Sequence, residues 1–223
     1  MITVHHLESS RSQRVLWLLE ELGLEYRVVR YERDRETMLA PAALRKVHPL
    51  GKSPVITDRR LTLAESGAIV EYLVERYGEG RLAPPPGSRG RLRYIYWMHY
   101  AEGSAMPPLL LKIVFDRVGA AKMPIVAKPV AKAIAERAKA EFIQPQIDRH
   151  LDFMNAELAR HRWFAGGRFS AADIQMSFPV EAAEAQGDLT RGRGHLAQFL
   201  ARVRARPAYK RALERGGEYR LGF

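Results

Sequence analysis

Three serines lie close together near the start of the chain, between a strand pattern and a helical pattern. Ser9, Ser10 and Ser12 follow a strand candidate at residues 2–4, and apolar residues recur at helical spacing from Val15 onward. A hydroxyl in this position lies at the end of a strand and beside a helix N-terminus, where partial positive charge favours an anion. Plain N-capping of the helix is the alternative, because serine is a preferred cap.

A lysine and a proline precede another strand candidate, at residues 55–57. The segment is HPLGKSPVI, in which Lys52 and Pro54 flank Ser53. Proline is allowed at the first residue of a strand. If the bond before Pro54 is cis, the neighbouring backbone turns toward a ligand, whereas a trans bond makes an ordinary turn.

A carboxylate and a hydroxyl meet at the start of a later helix, in the segment LAESGAI. Ser66 can cap this helix, and the backbone N–H groups of its first turn suit a carboxylate. Glu65 beside it would pair with an ammonium group. Together they match the head group of an α-amino acid, although Glu65 could simply complement the helix dipole.

Composition removes several other kinds of chemistry. The 223 residues contain no cysteine, which excludes disulfides, thiolate metal sites and a protein thiol as nucleophile. His5 and His6 are adjacent in a strand, so their rings face opposite sides and no metal site is predicted. Lys and Arg exceed Asp and Glu by 36 to 25, a net charge of +11. This charge favours anionic partners or simply a solvated basic surface, and no nucleic-acid motif accompanies it.

The first 80 residues mix strands and helices in the order βαβ, a connector with a short helix at residues 42–46, and ββα. Strand candidates are residues 2–4, 26–31, 55–57 and 60–63, and the two longer helices end near Gly23 and Gly78. Strand, helix and strand within about thirty residues predict a parallel βαβ unit. Asp58-Arg59 predicts the turn of an antiparallel hairpin.

Strand patterns disappear after a run of three prolines, residues 84–86, which neither a helix nor a central strand can contain. Helices are predicted over 90–118, 124–160, 171–186 and 195–215, with breaks at Pro107-Pro108, Pro124, Gly166-Gly167 and Gly192. We therefore predict an α/β domain at 1–80, a linker at 81–89 and an all-helical domain at 90–223. The longest stretch without charged side chains, 103–111, is too short for a membrane span, and no signal peptide is readable, so a cytoplasmic location is expected.

Taken in order, these segments resemble the glutathione S-transferase family, whose N-terminal domain has a thioredoxin-like fold. The motifs that carry the resemblance are SRSQRVLWLLEELGLEY, HPLGKSPVI, LAESGAIVEYL and, in the helical part, WFAGGRFSAADI. In the last of these, Ser170 and Asp173 have capping-box spacing. The resemblance covers essentially the whole chain and is closest to serine-type bacterial and fungal members.

The resemblance implies a role for each of the residues above, with glutathione as cosubstrate and no metal. Pro54 would have a cis bond, and the Val55 backbone would pair with the cysteinyl part of glutathione. Glu65 and Ser66 would hold the γ-glutamyl head group, and Lys52 would reach the glycine carboxylate. Of the two carboxylates of glutathione, one would then bind the Lys52 ammonium and the other the N-terminus of the helix. The ammonium group of glutathione would bind Glu65.

The nucleophile in such an enzyme is the thiol of glutathione, and a serine hydroxyl favours the thiolate by donating a hydrogen bond to it. Ser10 has the theta-like spacing of a serine followed after three residues by arginine, here Arg14, whereas Ser9 has the zeta-like spacing. Ser10 is favoured as the donor to the thiolate, because it lies nearer the start of the helix than Ser9. The absence of tyrosine from residues 1–25 excludes the tyrosine-type classes.

The helical domain is expected to supply a pocket for a small hydrophobic electrophile, with Tyr100, Ser104 and Met106 as candidates. The resemblance also implies a homodimer and a role in detoxification. A glutathione-dependent disulfide reductase or peroxidase is the alternative enzyme, and a non-catalytic binding module with this fold is the alternative of another class. Retention of Ser10, Lys52 and the Glu65–Ser66 pair argues against a pure scaffold.

Overall fold

A computed structural model of the chain describes residues 1–34, 37, 39–189 and 192–221. Its N-terminal part forms one four-stranded sheet with helices, in the predicted order. The elements are β1 Ile2–Leu7, α1 Ser12–Leu22, β2 Tyr26–Tyr31, α2 Ala42–Arg45, β3 Val55–Asp58, β4 Leu61–Ala64 and α3 Ser66–Tyr77. The strand order is β2-β1-β3-β4, in which β1 and β2 are parallel and the other two pairs are antiparallel. The predicted α/β domain is confirmed.

The ends of these elements follow from local sequence, with one correction. Gly23 ends α1 in the left-handed conformation, with φ 68°, as its position predicts. The hairpin turn is one residue later than predicted, because Asp58 belongs to β3 and Arg59 takes the positive φ of 54°. The buried Asp58 carboxylate accepts hydrogen bonds from the hydroxyls of Tyr72 and Tyr77 in α3, and these contacts hold it in the strand.

The remainder is helical, as predicted. Its helices are α4 Arg89–Tyr100, α5 Met106–Ala120, α6 Lys128–Ala138, α7 Gln144–Arg160, α8 Ala171–Ala185, α9 Gly194–Arg204 and α10 Pro207–Gly216. Two single π-helical turns, Ala101–Ala105 and Lys139–Ile143, join α4 to α5 and α6 to α7. The boundaries 1–80, 81–89 and 90–223 of the domains and linker stay a prediction.

Prolines do not act in this half as the sequence predicts. The expected break at Pro107-Pro108 is wrong, because both prolines lie in the first turn of α5, where a missing N–H and a fixed φ are tolerated. A π-helical turn lies just before them, so helical structure continues from α4 into α5 without a break. The single helix expected at 195–215 is instead two helices, separated just before Pro207.

Helix α8 is the buried centre of the molecule and connects the two halves. The predicted capping box is present: Ser170 precedes the helix, and the Asp173 carboxylate accepts the N–H groups of Ser170 and Phe164, both at 2.8 Å. Residues 171–183 of α8 are all buried, and the helix packs against both α1 and α4. Helix α8 therefore carries side chains of the helical half to the serine-bearing end of α1. In the part of the chain that the structure describes, no helix is long and apolar enough to cross a membrane.

Candidate active site

A cavity of about 360 Å³ lies at the end of β1, between the two halves of the molecule. Four of the residues singled out by sequence line it: Ser9, Ser10, Lys52 and Met106. The sheet half also contributes Arg11, Ser53 and Arg33, and the helical half contributes Leu110, Ile113 and Phe178. The helical half therefore forms an apolar wall of the cavity, and the sheet half contributes polar, cationic and apolar side chains.

Ser10 is buried and fully engaged in internal hydrogen bonds. Its Oγ donates to the Leu7 carbonyl at 2.7 Å and lies 2.8 Å from the Ser12 Oγ, which in turn is 2.7 Å from His6 Nδ1. Burial lowers the pKa of His6 to about 4, so the imidazole is neutral and can accept from Ser12. These contacts tie the end of β1 to the first turn of α1.

Ser9 is arranged differently, although it is the next residue. It is half-buried and has a positive φ of 46°, a conformation that serine adopts only under constraint. Its Oγ accepts the N–H of Arg220, from the C-terminal tail, at 3.2 Å. Among the residues that the structure describes, no acceptor takes the Ser9 hydroxyl proton. This proton is therefore available to a ligand in the cavity.

The segment before β3 is fastened to the end of β1. The Ser53–Pro54 bond is cis, as the family resemblance implies. Ser53 Oγ accepts the N–H of Leu7 at 3.2 Å and donates to the carbonyl of His5 at 3.0 Å. Val55, the first residue of β3, pairs with Ala64 at the end of β4. This pairing brings the Lys52–Val55 segment next to the start of α3.

At the start of α3, Glu65 and not Ser66 occupies the N-cap position, which corrects the expected cap. Glu65 is exposed and has φ 69° and ψ 117°, a backbone conformation that costs about 1–3 kcal/mol for a non-glycine residue. Ser66 is buried, and its Oγ accepts from Arg14 Nη2 at 3.0 Å and from Gln175 Nε2 at 3.3 Å. The side chain of Ser66 thus faces the molecule's interior, and only its backbone N–H belongs to the open helix N-terminus.

Arg14, to which the sequence analysis assigned no contact, joins these parts. Arg14 is 1 % exposed, and its guanidinium donates to the Gln175 carbonyl at 2.6 Å and to Glu102 Oε1 at 2.5 Å. Glu102 also accepts from Arg11 Nε at 2.9 Å. Burial alone would raise the pKa of Glu102, but Arg14 and Arg11 outweigh it and lower this pKa, so the carboxylate is ionised. No local spacing reveals this network, because Arg14 and Glu102 lie 88 residues apart.

Two of the three expected pocket residues lie elsewhere. Tyr100 is buried, and its hydroxyl hydrogen-bonds to His150 Nδ1 at 2.5 Å while its ring packs against Phe153. It faces α7 and is not among the residues that line the cavity. Ser104 lies half-buried in the π turn and is outside the cavity lining as well. Of the three, Met106 lines the cavity.

Both halves of the chain are similar to known protein domains. Residues 1–75 match the glutathione S-transferase N-terminal domain and residues 117–207 the C-terminal domain. Glutathione S-transferase 3 of Schizosaccharomyces pombe is 35 % identical, over 96 % of this chain and 88 % of that protein.

Two solved structures extend the likeness to three dimensions. The crystal structure of a glutathione S-transferase from Actinobacillus pleuropneumoniae is 29 % identical with a TM-score of 0.79, covering 99 % of this chain and 95 % of that one. A glutathione transferase family member from Pseudomonas fluorescens, with two glutathione bound, is 26 % identical with a TM-score of 0.71, covering 96 % and 92 %. The chain therefore belongs to the glutathione S-transferase family, with a thioredoxin-like N-terminal domain and an all-helical C-terminal domain.

Proposed function

We propose that this protein is a glutathione transferase that activates the thiol of glutathione for attack on a small electrophile. The observation that carries the proposal is the available Ser9 hydroxyl proton in a cavity that also presents Lys52 and an apolar wall. The relative from Pseudomonas fluorescens has glutathione bound. The same thiolate would serve a glutathione-dependent reductase or peroxidase, but the apolar wall favours conjugation, because it offers a binding surface for an organic electrophile.

Glutathione would lie along the edge formed by the three segments that meet there. Lys52, which is exposed, suits the glycine carboxylate, and the backbone of Val55 after the cis bond suits the cysteinyl amide. Glu65 suits the ammonium of the γ-glutamyl group, and the first N–H groups of α3 suit its carboxylate. The constrained backbone of Glu65 supports this role, since conformations of this kind cluster at ligand sites.

Ser9 is the better donor to the sulfur, although sequence position favours Ser10. A thiol with an ordinary pKa of about 8.5 is mostly protonated at neutral pH, so a donor that stabilises the thiolate raises the reactive fraction. Ser10 would have to give up its hydrogen bond to the Leu7 carbonyl before it could donate to a ligand. Ser9 would give up nothing, because its Oγ already accepts from Arg220 and its proton remains.

The two serines can be separated by titrating the ultraviolet band of the thiolate in the glutathione complex. In the Ser9→Ala variant we expect the thiol pKa to rise by about one unit, which corresponds to about 1.4 kcal/mol, and turnover at neutral pH to fall about tenfold. Turnover should recover in part as pH rises, because the variant still binds glutathione.

Ser10→Ala is the matched control. We expect it to lower the free energy of unfolding by about 1 kcal/mol, because internal hydrogen bonds are lost, and to leave the thiol pKa of bound glutathione unchanged. If Ser10→Ala shifts the titration and Ser9→Ala does not, the roles are reversed. If neither variant shifts it, activation by a serine is wrong, and the helix N-terminus or Arg11 must stabilise the thiolate.

The expected homodimer has a suitable surface on α4. Leu92, Ile95 and Tyr96 are exposed apolar side chains on this helix, with exposed fractions of 72 %, 39 % and 47 %. Burying such a surface against a second copy would stabilise association. Light scattering should give twice the mass of one chain, and Leu92→Glu should shift the protein toward the monomer. A monomeric mass for the unaltered protein at micromolar concentration would contradict the prediction.

A further inference from the structure

The chain that follows α10 returns to the serine loop at the other end of the sequence. We call residues 217–221 the tail segment. Gly217 has φ 85° and ψ −154°, a backbone conformation that is essentially restricted to glycine, so the chain turns sharply where α10 ends. Three residues later, the Arg220 N–H donates to Ser9 Oγ at 3.2 Å. The tail segment therefore reaches the residue proposed to hold the sulfur of glutathione.

Between these two points the tail segment is anchored by the hydroxyl of Tyr219. This hydroxyl donates to Glu181 Oε2 at 2.8 Å, and the hydroxyl of Tyr209 in α10 donates to Glu181 Oε1 at 2.5 Å. Glu181 lies on α8 and is only 5 % exposed. Burial raises the pKa of its carboxyl group, and the hydrogen bonds from the two tyrosines oppose this rise. Tyr219 thus ties the tail segment to the buried centre of the molecule.

Packing alone does not fix the tail segment in place. Leu221 contacts the hydrophobic core, but a second cavity, of about 450 Å³, borders both Tyr219 and Leu221. Side chains beside a void have fewer van der Waals contacts than those in a filled core. The hydrogen bond between Tyr219 and Glu181 is therefore important for holding the tail segment against the serine loop.

The anchored tail segment limits what the Ser9 hydroxyl can do. A hydroxyl group has one proton and two acceptor lone pairs, and its proton rotates to suit its partners. Because the Arg220 N–H occupies an acceptor position on Ser9 Oγ, the Ser9 proton must point away from Arg220. An oxygen that accepts one hydrogen bond is also polarised into a stronger donor. The contact with Arg220 thus favours donation from Ser9 to a ligand in the cavity that Ser9 lines.

We infer that Tyr219 is a positioning residue of this site. Through the tail segment it holds the Arg220 N–H against Ser9 Oγ, and it thereby sets the direction and strength of the hydrogen bond that Ser9 donates to the sulfur of glutathione. The inference rests on the proposed function, in which Ser9 stabilises the thiolate, and adds the contact that orients Ser9.

Tyr219→Phe tests the anchor, and Tyr209→Phe is the matched control. Both changes remove one hydroxyl from the same Glu181 carboxylate, but Tyr209 belongs to α10 and not to the tail segment. In Tyr219→Phe we expect the thiol pKa of bound glutathione, read from the ultraviolet band of the thiolate, to rise by about 0.5 and kcat at neutral pH to fall about threefold. The Kd for glutathione in calorimetry should stay unchanged. Tyr209→Phe should leave both the thiol pKa and the Kd unchanged.

Two further variants connect Tyr219 with Ser9. Arg220→Pro removes the backbone N–H itself, so it should raise the thiol pKa at least as much as Tyr219→Phe. When Tyr219→Phe is added to Ser9→Ala, the thiol pKa should rise no further, because the hydroxyl that Tyr219 positions is already gone.

The outcomes separate this inference from the proposed function. If Ser9→Ala raises the thiol pKa and Tyr219→Phe does not, the inference is overturned and the role of Ser9 stands. The inference is also overturned if Tyr209→Phe raises the thiol pKa as much as Tyr219→Phe, or if Tyr219→Phe has its full effect in the absence of the Ser9 hydroxyl. If Ser9→Ala itself leaves the thiol pKa unchanged although glutathione binds, the proposed role of Ser9 fails and the inference fails with it.

Discussion

Replacing Arg14 with leucine should lower the free energy of unfolding by about 3 kcal/mol, measured by urea titration of the tryptophan fluorescence. The loss lies at the lower end of the range for removing one partner of a buried ion pair, because Arg11 still faces Glu102 after the change. The Gln175 carbonyl would lose its guanidinium donor, and Ser66 Oγ would keep only Gln175 Nε2. An unsatisfied buried acceptor costs its full desolvation penalty.

Arg11→Leu is the matched control, since it removes another cation from the same Glu102 carboxylate. The Arg11 side chain is 34 % exposed, so we expect a loss of at most about 1 kcal/mol. Equal losses in the two variants would contradict the claim that burial of Arg14, and not the charge of Glu102, makes this contact important. A second consequence checks the link to the site: Arg14→Leu should also weaken glutathione binding, because Arg14 positions Ser66 at the start of α3.

The second large effect is expected at Glu65. The Glu65→Ala variant should bind glutathione more weakly by about 1.5–3 kcal/mol in calorimetry, because the γ-glutamyl ammonium would lose its charged hydrogen-bond partner. The loss should shrink with an analogue that lacks the α-amino group, since that ligand has no ammonium to pair with Glu65.

Glu75→Ala supplies the comparison, because Glu75 is exposed on the same helix and the variant carries the same change of charge. Its affinity for glutathione should equal that of the unaltered protein. An unchanged affinity in Glu65→Ala would remove Glu65 from the head-group site and would leave its constrained backbone without a functional explanation.

Local patterns were sufficient for most of the fold. Apolar periodicity located α1 and α3, Gly23 marked a helix end, and the capping box of Ser170 and Asp173 marked the start of α8. Each of these features depends on residues within about one helical turn, which is why sequence alone could identify them. The same applies to the segments around Ser9, Pro54 and Glu65, whose chemistry is visible within each segment.

Local patterns were insufficient at two positions of the helical half. Pro107-Pro108 predicted a break, yet a π turn lets the helix continue through them. Tyr100 was expected to line the pocket, yet its hydroxyl hydrogen-bonds to His150 and its ring packs against Phe153, both on α7. For Tyr100 a partner from another helix, which the local sequence does not reveal, determines the outcome, whereas for the prolines it is their position in the first turn of α5.

The sequence by itself determined the order of the elements, the family and the three segments of the proposed site. Only the tertiary structure distinguished Ser9 from Ser10, because the direction of each hydroxyl depends on Leu7 and on Arg220 at the far end of the chain. It alone placed Arg14 against Glu102 and gathered cationic side chains around one cavity. Hydrogen bonds and electrostatic interactions act over a few ångströms whatever the separation along the chain, so their partners are decided by packing.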